Sequence, residues 1–322
     1  MALVVTYMDA VRAFPAKANT VKTYLVAISS TCNEFGCKGA SPCSDNAVAG
    51  QLQTWLAHDG EESAEAFDME ADMKKMWGVV WTVPGWSHMA TLQYWTMLLV
   101  AIAIFGRASE LTEYCPTFED TWLPESASQW DSDGIPKYIE IGLRNWKTRT
   151  ECNRGKRYGM RLHRNYLDSR FCPVTWLLTW LHYSGITSGP LFQKLAGRDA
   201  KPTGENMTEA TWTGATTKLF TAAGLYTPGY TDPDTGHKVP AKGVTNHGIR
   251  RSACQWAGRC HAREIDTANN GRWKTYTEMA KYMAQGAKTR MVHENDSGTD
   301  PIFSMWVWKP VTVASESTRN EL

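Results

Sequence analysis

The chain has 322 residues, of which 43% are hydrophobic and 21% are charged. This length corresponds to about two domains of roughly 150 residues each, and it is long enough to bury a core without disulfides. The composition excludes a disordered chain. The formal net charge of +1 indicates no whole-chain preference for nucleic acid or membrane.

The charge is distributed unevenly along the chain. Residues 137–170 and residues 242–290 each contain 10 Lys and Arg against 3 Asp and Glu, a net charge of +7 in each segment. Residues 1–90 contain 6 basic against 10 acidic residues, and residues 91–136 contain 1 against 7. Two basic segments in a neutral chain predict either one basic surface that attracts a polyanion or two separate solvated faces.

No segment has the pattern of a secretory signal, a membrane span or a zinc finger. The N-terminus lacks a basic stretch followed by an apolar one. The most apolar run, residues 95–105, is shorter than the ~20 residues that cross a bilayer, so it predicts a buried core helix. Cys32, Cys37 and Cys43 lack a fourth ligand at finger spacing. We therefore expect an intracellular protein without membrane contact, metal or other cofactor, located in the nucleus if its host is eukaryotic and otherwise in the cytoplasm.

The elements predicted in chain order begin with a helical N-terminal region. Helical periodicity covers residues 20–35 and 47–57, and Pro84-Gly85 marks a turn. We place a domain boundary near this turn, so that residues 1–82 form a small helical domain.

The second predicted domain, residues 83–290, is mostly helical with a small sheet. A long helix runs from residue 87 into the sequence Gly106-Arg107-Ala108-Ser109-Glu110-Leu111. The remaining predictions are strands over 138–143 and 156–162 around a basic turn, a helix over 173–183, helix and loop to 244, and helices from Thr245-Asn246 to about 287. Residues 291–322 form a tail with an apolar patch. The predicted fold class is mainly α with a small antiparallel β-sheet.

Two pairs of polar residues have the i, i+3 spacing that places both side chains on one face of a helix. His247 and Arg250 follow a predicted helix start, where free N–H groups favour anions, and together they suit a phosphate oxygen. Arg107 and Glu110 end a very apolar helix, where Glu110 could orient the arginine. Each pair alone is also compatible with a structural role on the surface or with an ordinary ion pair.

Three further residues, Lys147, Trp273 and Tyr282, are candidates for a functional role, although none of them indicates a function alone. Lys147 is in the turn after the first strand, within the first basic segment; alone it is a solvated lysine. Trp273 lies in a Gly-Arg-Trp sequence, and Tyr282 follows nine residues later. By pattern Tyr282 is first a core tyrosine, and Tyr276 is its nearby competitor.

The order and spacing of these residues resemble the tyrosine recombinase (phage integrase-like) family. The resemblance is greatest to Cre-type and eukaryotic transposon-type (Crypton-like) members, in which Trp replaces the second His. Arg107 matches the Arg-x-x-Glu-hydrophobic box, His247 and Arg250 match the His-x-x-Arg box, and Trp273 precedes Tyr282 at the family's spacing. The resemblance covers residues 87–285, and Lys156 competes with Lys147 for the family's lysine.

The resemblance implies a helical core-binding domain over 1–82, a mixed α/β catalytic domain over 83–290, and a tail that docks on a neighbouring protomer or folds back. It implies that Tyr282 forms a 3′-phosphotyrosine, that Arg107 and Arg250 clamp the phosphate, and that Lys147 protonates the leaving oxygen. His247 and Trp273 would bind the phosphate, with Glu110 supporting Arg107. The implied partners are double-stranded DNA and a homo-tetramer on DNA, monomeric or dimeric when free. The basic segments would then line the DNA cleft, through Arg144, Arg149, Arg251, Arg272 and Lys274.

Three other functions remain compatible with the sequence. A type IB topoisomerase-like or hairpin-forming enzyme would use the same chemistry on one duplex. A protein derived from a recombinase could bind DNA without cleaving it. A helical interaction protein would match the motif by chance.

Overall fold

A computed structural model of the protein describes residues 65–143, 158–197, 200–260, 262, 264–273 and 279. The chain divides into two compact units, Met1–Ser63 and Ala64–Leu322, and all described residues belong to the second. The helices predicted over 20–35 and 47–57, the cysteines Cys32, Cys37 and Cys43, and the tail from residue 291 lie outside the described residues.

The second unit begins before the predicted domain boundary at residue 82. Helix α1 (Ala71–Val80) packs against helix α5 (Glu209–Ala222). Met73, Met76 and Val80 recur at helical spacing, and all three are fully buried. Pro84-Gly85 does form a turn, but this turn lies inside the unit and connects α1 to the next helix.

Helix α2 (His88–Ala103) lies at the centre of the unit and confirms the predicted core helix. The hydroxyl of Ser87 caps its start by accepting a hydrogen bond from the backbone N–H of Ala90 at 3.2 Å. Every residue from 95 to 102 is buried, as expected for a helix that is apolar all round. It packs against α4 (Pro173–Ser184), α5 and α6 (Asn246–Arg259).

The prediction that this helix continues through Leu111 is wrong. Phe105 adopts a left-handed backbone conformation with φ +50°. The N–H groups of Phe105 and Gly106 turn back to the carbonyls of Ile102 and Ala101, which ends the helix. A four-residue helix, α3 (Ala108–Leu111), follows. We call residues 104–107 the α2 turn.

The predicted small sheet is confirmed and has three antiparallel strands in the order β1 (Thr121–Trp122), β2 (Tyr138–Leu143), β3 (Tyr158–His163). Tyr138 pairs with His163 at one end of the β2–β3 ladder, and Leu143 pairs with Tyr158 at the other. Ile139, Ile141 and Leu143 of β2 are fully buried, and β3 packs against α4.

Three further antiparallel strand pairs follow, where the sequence predicts only helix and loop. They are β4 (Gln193–Ala196) with β5 (Lys201–Asn206), β6 (Tyr226–Thr227) with β9 (Lys242–Gly243), and β7 (Tyr230–Thr231) with β8 (Lys238–Val239). Most of their residues are exposed and polar, so they lack the alternation that reveals a half-buried strand.

Helix α6 begins at Asn246, as predicted from Thr245-Asn246, and helix α7 (Glu264–Asn270) follows it. The segment 65–68 lies beside α6: the N–H of Phe67 donates to the Ser252 hydroxyl at 2.8 Å, and Arg259 pairs with Asp68 at 2.9 Å. Within the residues that the structure describes, no helix is both long and apolar enough to cross a membrane.

Candidate active site

Arg107 and Glu110 form a local unit at the start of α3. The backbone N–H of Arg107 donates to Glu110 Oε2 at 2.9 Å, and its Nη1 donates to Glu110 Oε1 at 2.9 Å. Arg107 has extended backbone and precedes the first helical turn, so Glu110 can reach back to it as in a capping box. The Arg107 side chain remains 24% exposed while that of Glu110 is 1% exposed. The pair therefore presents one guanidinium at the surface, anchored by a buried carboxylate.

The Glu110 carboxylate has a second cationic partner that the sequence does not predict. Nη2 of Arg272 donates to Glu110 Oε2, and both side chains are only 1% exposed. Burial by itself would raise the pKa of Glu110. The charge of Arg272 and the bonds from Arg107 outweigh this effect, so the pKa of Glu110 lies below its ordinary value. Glu110 is therefore ionised at neutral pH and joins two arginines.

His247 and Arg250 lie on the first two turns of α6. His247 is exposed, whereas Arg250 is 4% exposed. The Arg250 guanidinium donates from Nη1 to the carbonyl oxygen of Phe105 and from Nη2 to that of Gly271. It thereby connects the α2 turn, which carries Arg107, to the end of α7.

Trp273 packs on Arg250. The guanidinium carbon lies 4.1 Å from the centroid of the indole ring, a cation–π geometry, and the Phe105 ring lies 6.4 Å from the same indole. A Cβ atom built on Gly271 would overlap the Trp273 ring. Glycine is therefore required at this position for the indole to fold back over its own backbone and cover Arg250.

The turn after α7, residues 270–273, is held by Arg272, and we call it the α7 turn. Arg272 Nη1 donates to the carbonyl oxygens of Ile104 at 3.0 Å and Asn270 at 2.8 Å. Its φ is +54°, a left-handed conformation that costs about 1–3 kcal/mol in a non-glycine residue. The bonds of the side chain maintain this conformation and tie the α7 turn to the α2 turn.

Two arginines expected to contact DNA lie in the interior instead. Arg272 is 5% exposed and Arg251 is 8% exposed. For Arg272 the physical reason is its bond to the buried carboxylate of Glu110. Because the Arg272 guanidinium is paired with this carboxylate inside the unit, direct DNA contact by Arg272 does not fit the structure.

Several residues with a predicted role in catalysis or DNA binding lie outside the described residues. They are Lys147, Tyr282, Arg144, Arg149 and Lys274, together with Lys156 and Tyr276, the alternatives to Lys147 and Tyr282. Met279, three positions before Tyr282, is described. It is 1% exposed and packs with Cys254, Ala268 and Trp273. Met279 therefore belongs to the same buried cluster as Trp273.

Cys254 is the buried thiol of this cluster. Burial raises the pKa of the Cys254 thiol to about 12, so at neutral pH it is not a thiolate nucleophile. Among the described ranges, no group of three or more His, Cys, Asp and Glu residues could hold a metal ion.

The arrangement can bind and polarise an anion. Arg107 at the surface and Arg250 against Trp273 are contributed by chain segments far apart in sequence, and His247 lies one helical turn before Arg250. Guanidinium groups match the geometry of phosphate oxygens, and an imidazole can donate or accept a proton near neutral pH. Phosphate-ester chemistry suits these groups.

Neither the protein-family models nor the curated proteins include a match to this chain. Solved structures do match. A post-cleavage complex of XerH site-specific recombinase bound to a palindromic difH substrate has a TM-score of 0.54 at 11% identity. The match covers 90% of this chain and 72% of the XerH chain.

Two further solved structures match at similar levels. A Tn1549 transposon integrase in complex with a circular intermediate DNA has a TM-score of 0.51 at 13% identity, with coverage of 90% and 84% of the two chains. A lambda integrase (75–356) dimer bound to a COC′ core site has a TM-score of 0.50 at 15% identity, with coverage of 88% and 77%. The protein is thus similar in fold to the tyrosine recombinases and integrases.

Proposed function

We propose that the protein is a site-specific DNA recombinase or integrase that cleaves and rejoins strands through a 3′-phosphotyrosine on Tyr282. One observation carries the proposal: Arg107, Arg250 and Trp273, distant in sequence, are joined through the α2 turn and the α7 turn. The similar structures are integrases and recombinases bound to DNA, which supports DNA as the substrate.

Arg107 would bind a non-bridging oxygen of the scissile phosphate from the surface, and Arg250, which is 4% exposed, would do so by exchanging a backbone carbonyl partner for a phosphate oxygen. Attack on a phosphodiester adds negative charge in the transition state, and preorganised cations stabilise that charge. Arg107 is already oriented by Glu110. Arg250 bonds to the two turns through its Nη atoms and is covered by Trp273. Together they supply the charge that a metal ion provides in many other phosphoryl transfer enzymes.

The remaining residues account for the protons that move and the bonds that form and break in the reaction. The Tyr282 oxygen attacks phosphorus, and His247 assists loss of the phenol proton, because an unperturbed phenol has a pKa of about 10. The bond to the 5′ oxygen breaks, and Lys147 protonates this leaving group. Rejoining reverses the steps with a 5′-hydroxyl as the nucleophile. The bond energy stays in the phosphotyrosine, so no ATP is required.

Recombination joins two duplexes, which implies a homo-tetramer on DNA assembled from free monomers or dimers. The basic segments at 137–170 and 242–290 would contact the phosphate backbone and supply much of the affinity. An intracellular protein, nuclear in a eukaryotic host, is consistent with this role.

Covalent capture tests the proposal. The protein is mixed with fragments of its source DNA and denatured, and protein-linked strands are isolated and sequenced. We expect adducts at a repeated sequence with the wild type and none with Tyr282→Phe, which retains the ring and loses only the hydroxyl. Adducts that persist in Tyr282→Phe and disappear in Tyr276→Phe would move the nucleophile, and an absence of adducts despite salt-sensitive binding would favour a silent DNA-binding protein.

A product assay distinguishes recombination from topoisomerase activity. Supercoiled plasmid carrying two copies of the captured sequence is incubated with the protein. Recombination predicts exchange between the copies, whereas a type IB topoisomerase-like enzyme would relax the plasmid without joining new partners.

A further inference from the structure

The Glu110 carboxylate is shared between two arginines of different exposure. Oε1 accepts from Arg107 Nη1 at 2.9 Å, and Oε2 accepts from the Arg107 backbone N–H at 2.9 Å and from Arg272 Nη2. Arg107 is 24% exposed, whereas Glu110 and Arg272 are 1% exposed. One buried ion pair therefore lies directly behind a surface guanidinium.

Arg272 is fixed at several points. Its Nη1 bonds to a carbonyl of the α2 turn, Ile104 at 3.0 Å, and to a carbonyl of the α7 turn, Asn270 at 2.8 Å. Its backbone is held in the left-handed region. Because strained backbone persists only where surrounding contacts enforce it, these bonds determine where the guanidinium lies.

We propose that Arg272 is a positioning residue that acts through Glu110 to fix the orientation of Arg107 toward the scissile phosphate. This inference rests on the proposed function. It replaces the expected DNA contact of Arg272 with an indirect role, because the buried side chain faces Glu110 and the two turns and not the solvent.

The physical argument concerns the carboxylate. A buried carboxylate is stable as an anion only when it is paired and hydrogen-bonded. Arg272 supplies a fixed cation that does not depend on DNA, so Glu110 stays ionised and keeps its two bonds to Arg107 before substrate binds. Without Arg272, Glu110 would have to draw on the more exposed Arg107 alone or leave its buried position.

Three variants isolate this role. Arg272→Gln removes the charge and preserves much of the side-chain length, whereas Arg272→Lys preserves the charge with fewer hydrogen bonds. Lys75→Gln is the control, because Lys75 lies outside both basic segments and forms its own ion pair with Asp72 at 2.8 Å. Folding of each variant is first checked by urea unfolding, and Arg272→Lys keeps the inference testable if Arg272→Gln does not fold.

Two independent readouts are then compared. The first is the rate of covalent adduct formation on the captured DNA fragment, together with the affinity for that fragment. The second is labelling of Arg107 by phenylglyoxal in the absence of DNA, quantified by peptide mass spectrometry. The labelling reports the orientation and pairing of Arg107 and requires no catalysis.

For Arg272→Gln we expect adduct formation to slow by about 10- to 100-fold, the scale of loss caused by a small misplacement of a reacting group. DNA affinity should change much less, and Arg107 labelling should become faster. Arg272→Lys should recover part of both signals, and Lys75→Gln should match the wild type.

The outcomes separate the two proposals. If folded Arg272→Gln matches the wild type in Arg107 labelling and in adduct formation, the positioning role is overturned. If DNA affinity falls in parallel with adduct formation while Arg107 labelling is unchanged, Arg272 contacts DNA and the inference is also overturned. If the wild type forms no adducts but Arg107 labelling rises in Arg272→Gln, the positioning role is supported and the proposed DNA cleavage fails.

Discussion

Three arginines of the candidate site differ in their partners, and these partners define their roles. Arg107 is partly exposed and is anchored by Glu110. Arg250 donates to two backbone carbonyls and packs against Trp273. Arg272 is buried and forms an ion pair with Glu110. Burying a cation is costly unless hydrogen bonds replace water. Here the carbonyls at the ends of α2 and α7 provide those bonds, which also suits the negative end of each helix.

Gly271→Ala tests the packing of Trp273. The added Cβ would overlap the indole, so the ring must leave Arg250, and we expect a loss of about 1–3 kcal/mol in unfolding free energy as in other overpacked sites. Adduct formation should fall with it. Thermal or urea unfolding measures the first effect, and Gly78→Ala is the control, because nothing lies within 4 Å of its added Cβ. Equal stability of the two variants would contradict the packing seen for Trp273.

The pH dependence of stability tests the charge of Glu110. Its pKa is lowered from the ordinary value of 4.5, so the folded state binds a proton less readily than the unfolded state. Its contribution to stability is therefore fully present above that value and is lost as pH falls through the lower, folded-state pKa. Removing one member of a buried ion pair costs about 3–5 kcal/mol.

We therefore expect Glu110→Gln to be less stable than the wild type near neutral pH, with a difference that shrinks in acid. Urea unfolding of both proteins between about pH 7 and pH 3 measures the difference across the range in which the carboxylate of the unfolded chain gains its proton. A difference that is constant across this range would show that Glu110 is not an ionised partner of the two arginines.

At the scale of elements, the sequence predicts those whose patterns are strong and local. The apolar run of α2, the two strands β2 and β3, and the start of α6 all carry such patterns, and the structure confirms them. The sequence does not predict the end of α2 at this point, because the end depends on the left-handed backbone of Phe105, a conformation that bulky residues rarely adopt. The sequence does not predict the short hairpins, because exposed polar strands lack hydrophobic periodicity.

The same distinction applies to the site. The pairing of Arg107 with Glu110 follows from i, i+3 spacing, which is visible in the sequence. The pairing of Glu110 with Arg272 joins residues 162 positions apart, and only the tertiary fold brings them together. The one available signal was an arginine directly after Gly271, next to a tryptophan, and this signal does not distinguish a buried ion pair from a surface contact.

Gly248→Ala tests the contact between α6 and the segment 65–68. A Cβ at Gly248 would overlap the carbonyl oxygen of Glu65, so the segment must move away and the bond from Phe67 to Ser252 would be strained. We expect destabilisation by about 1–3 kcal/mol from overpacking, although alanine normally stabilises a helix interior by about 0.5–1 kcal/mol.

Gly214→Ala supplies the comparison, because it lies in α5 and nothing is within 4 Å of its added Cβ. It should show the stabilisation alone. If both variants gain stability in urea unfolding, the segment 65–68 does not pack on α6 in solution.

At the scale of the whole molecule, the large buried core within the described part of the second compact unit includes α1. Met73, Met76 and Val80 belong to the same buried cluster as the apolar residues of α2 and α4. We therefore expect a fragment beginning at Ala64 to unfold cooperatively. A fragment beginning at residue 83 would lose these core residues, and the cavity left by each large side chain costs about 2–5 kcal/mol.

Urea unfolding of the two fragments, with circular dichroism as the signal, compares the boundaries directly. A single cooperative transition for the longer fragment and a broad or absent one for the shorter fragment is the expected result. Cooperative unfolding of the fragment from residue 83 at equal stability would support the boundary predicted near Pro84-Gly85.

The most direct measurement is the chemical identity of the protein–DNA linkage. Adducts captured from wild-type protein are trimmed with nuclease and digested with protease, and the nucleotide-bearing peptide is sequenced by mass spectrometry. The predicted result is a nucleotide joined through its 3′-phosphate to the oxygen of Tyr282. A nucleotide on another residue, a 5′-phosphate linkage, or no covalent linkage on the DNA that the protein binds would contradict cleavage through Tyr282.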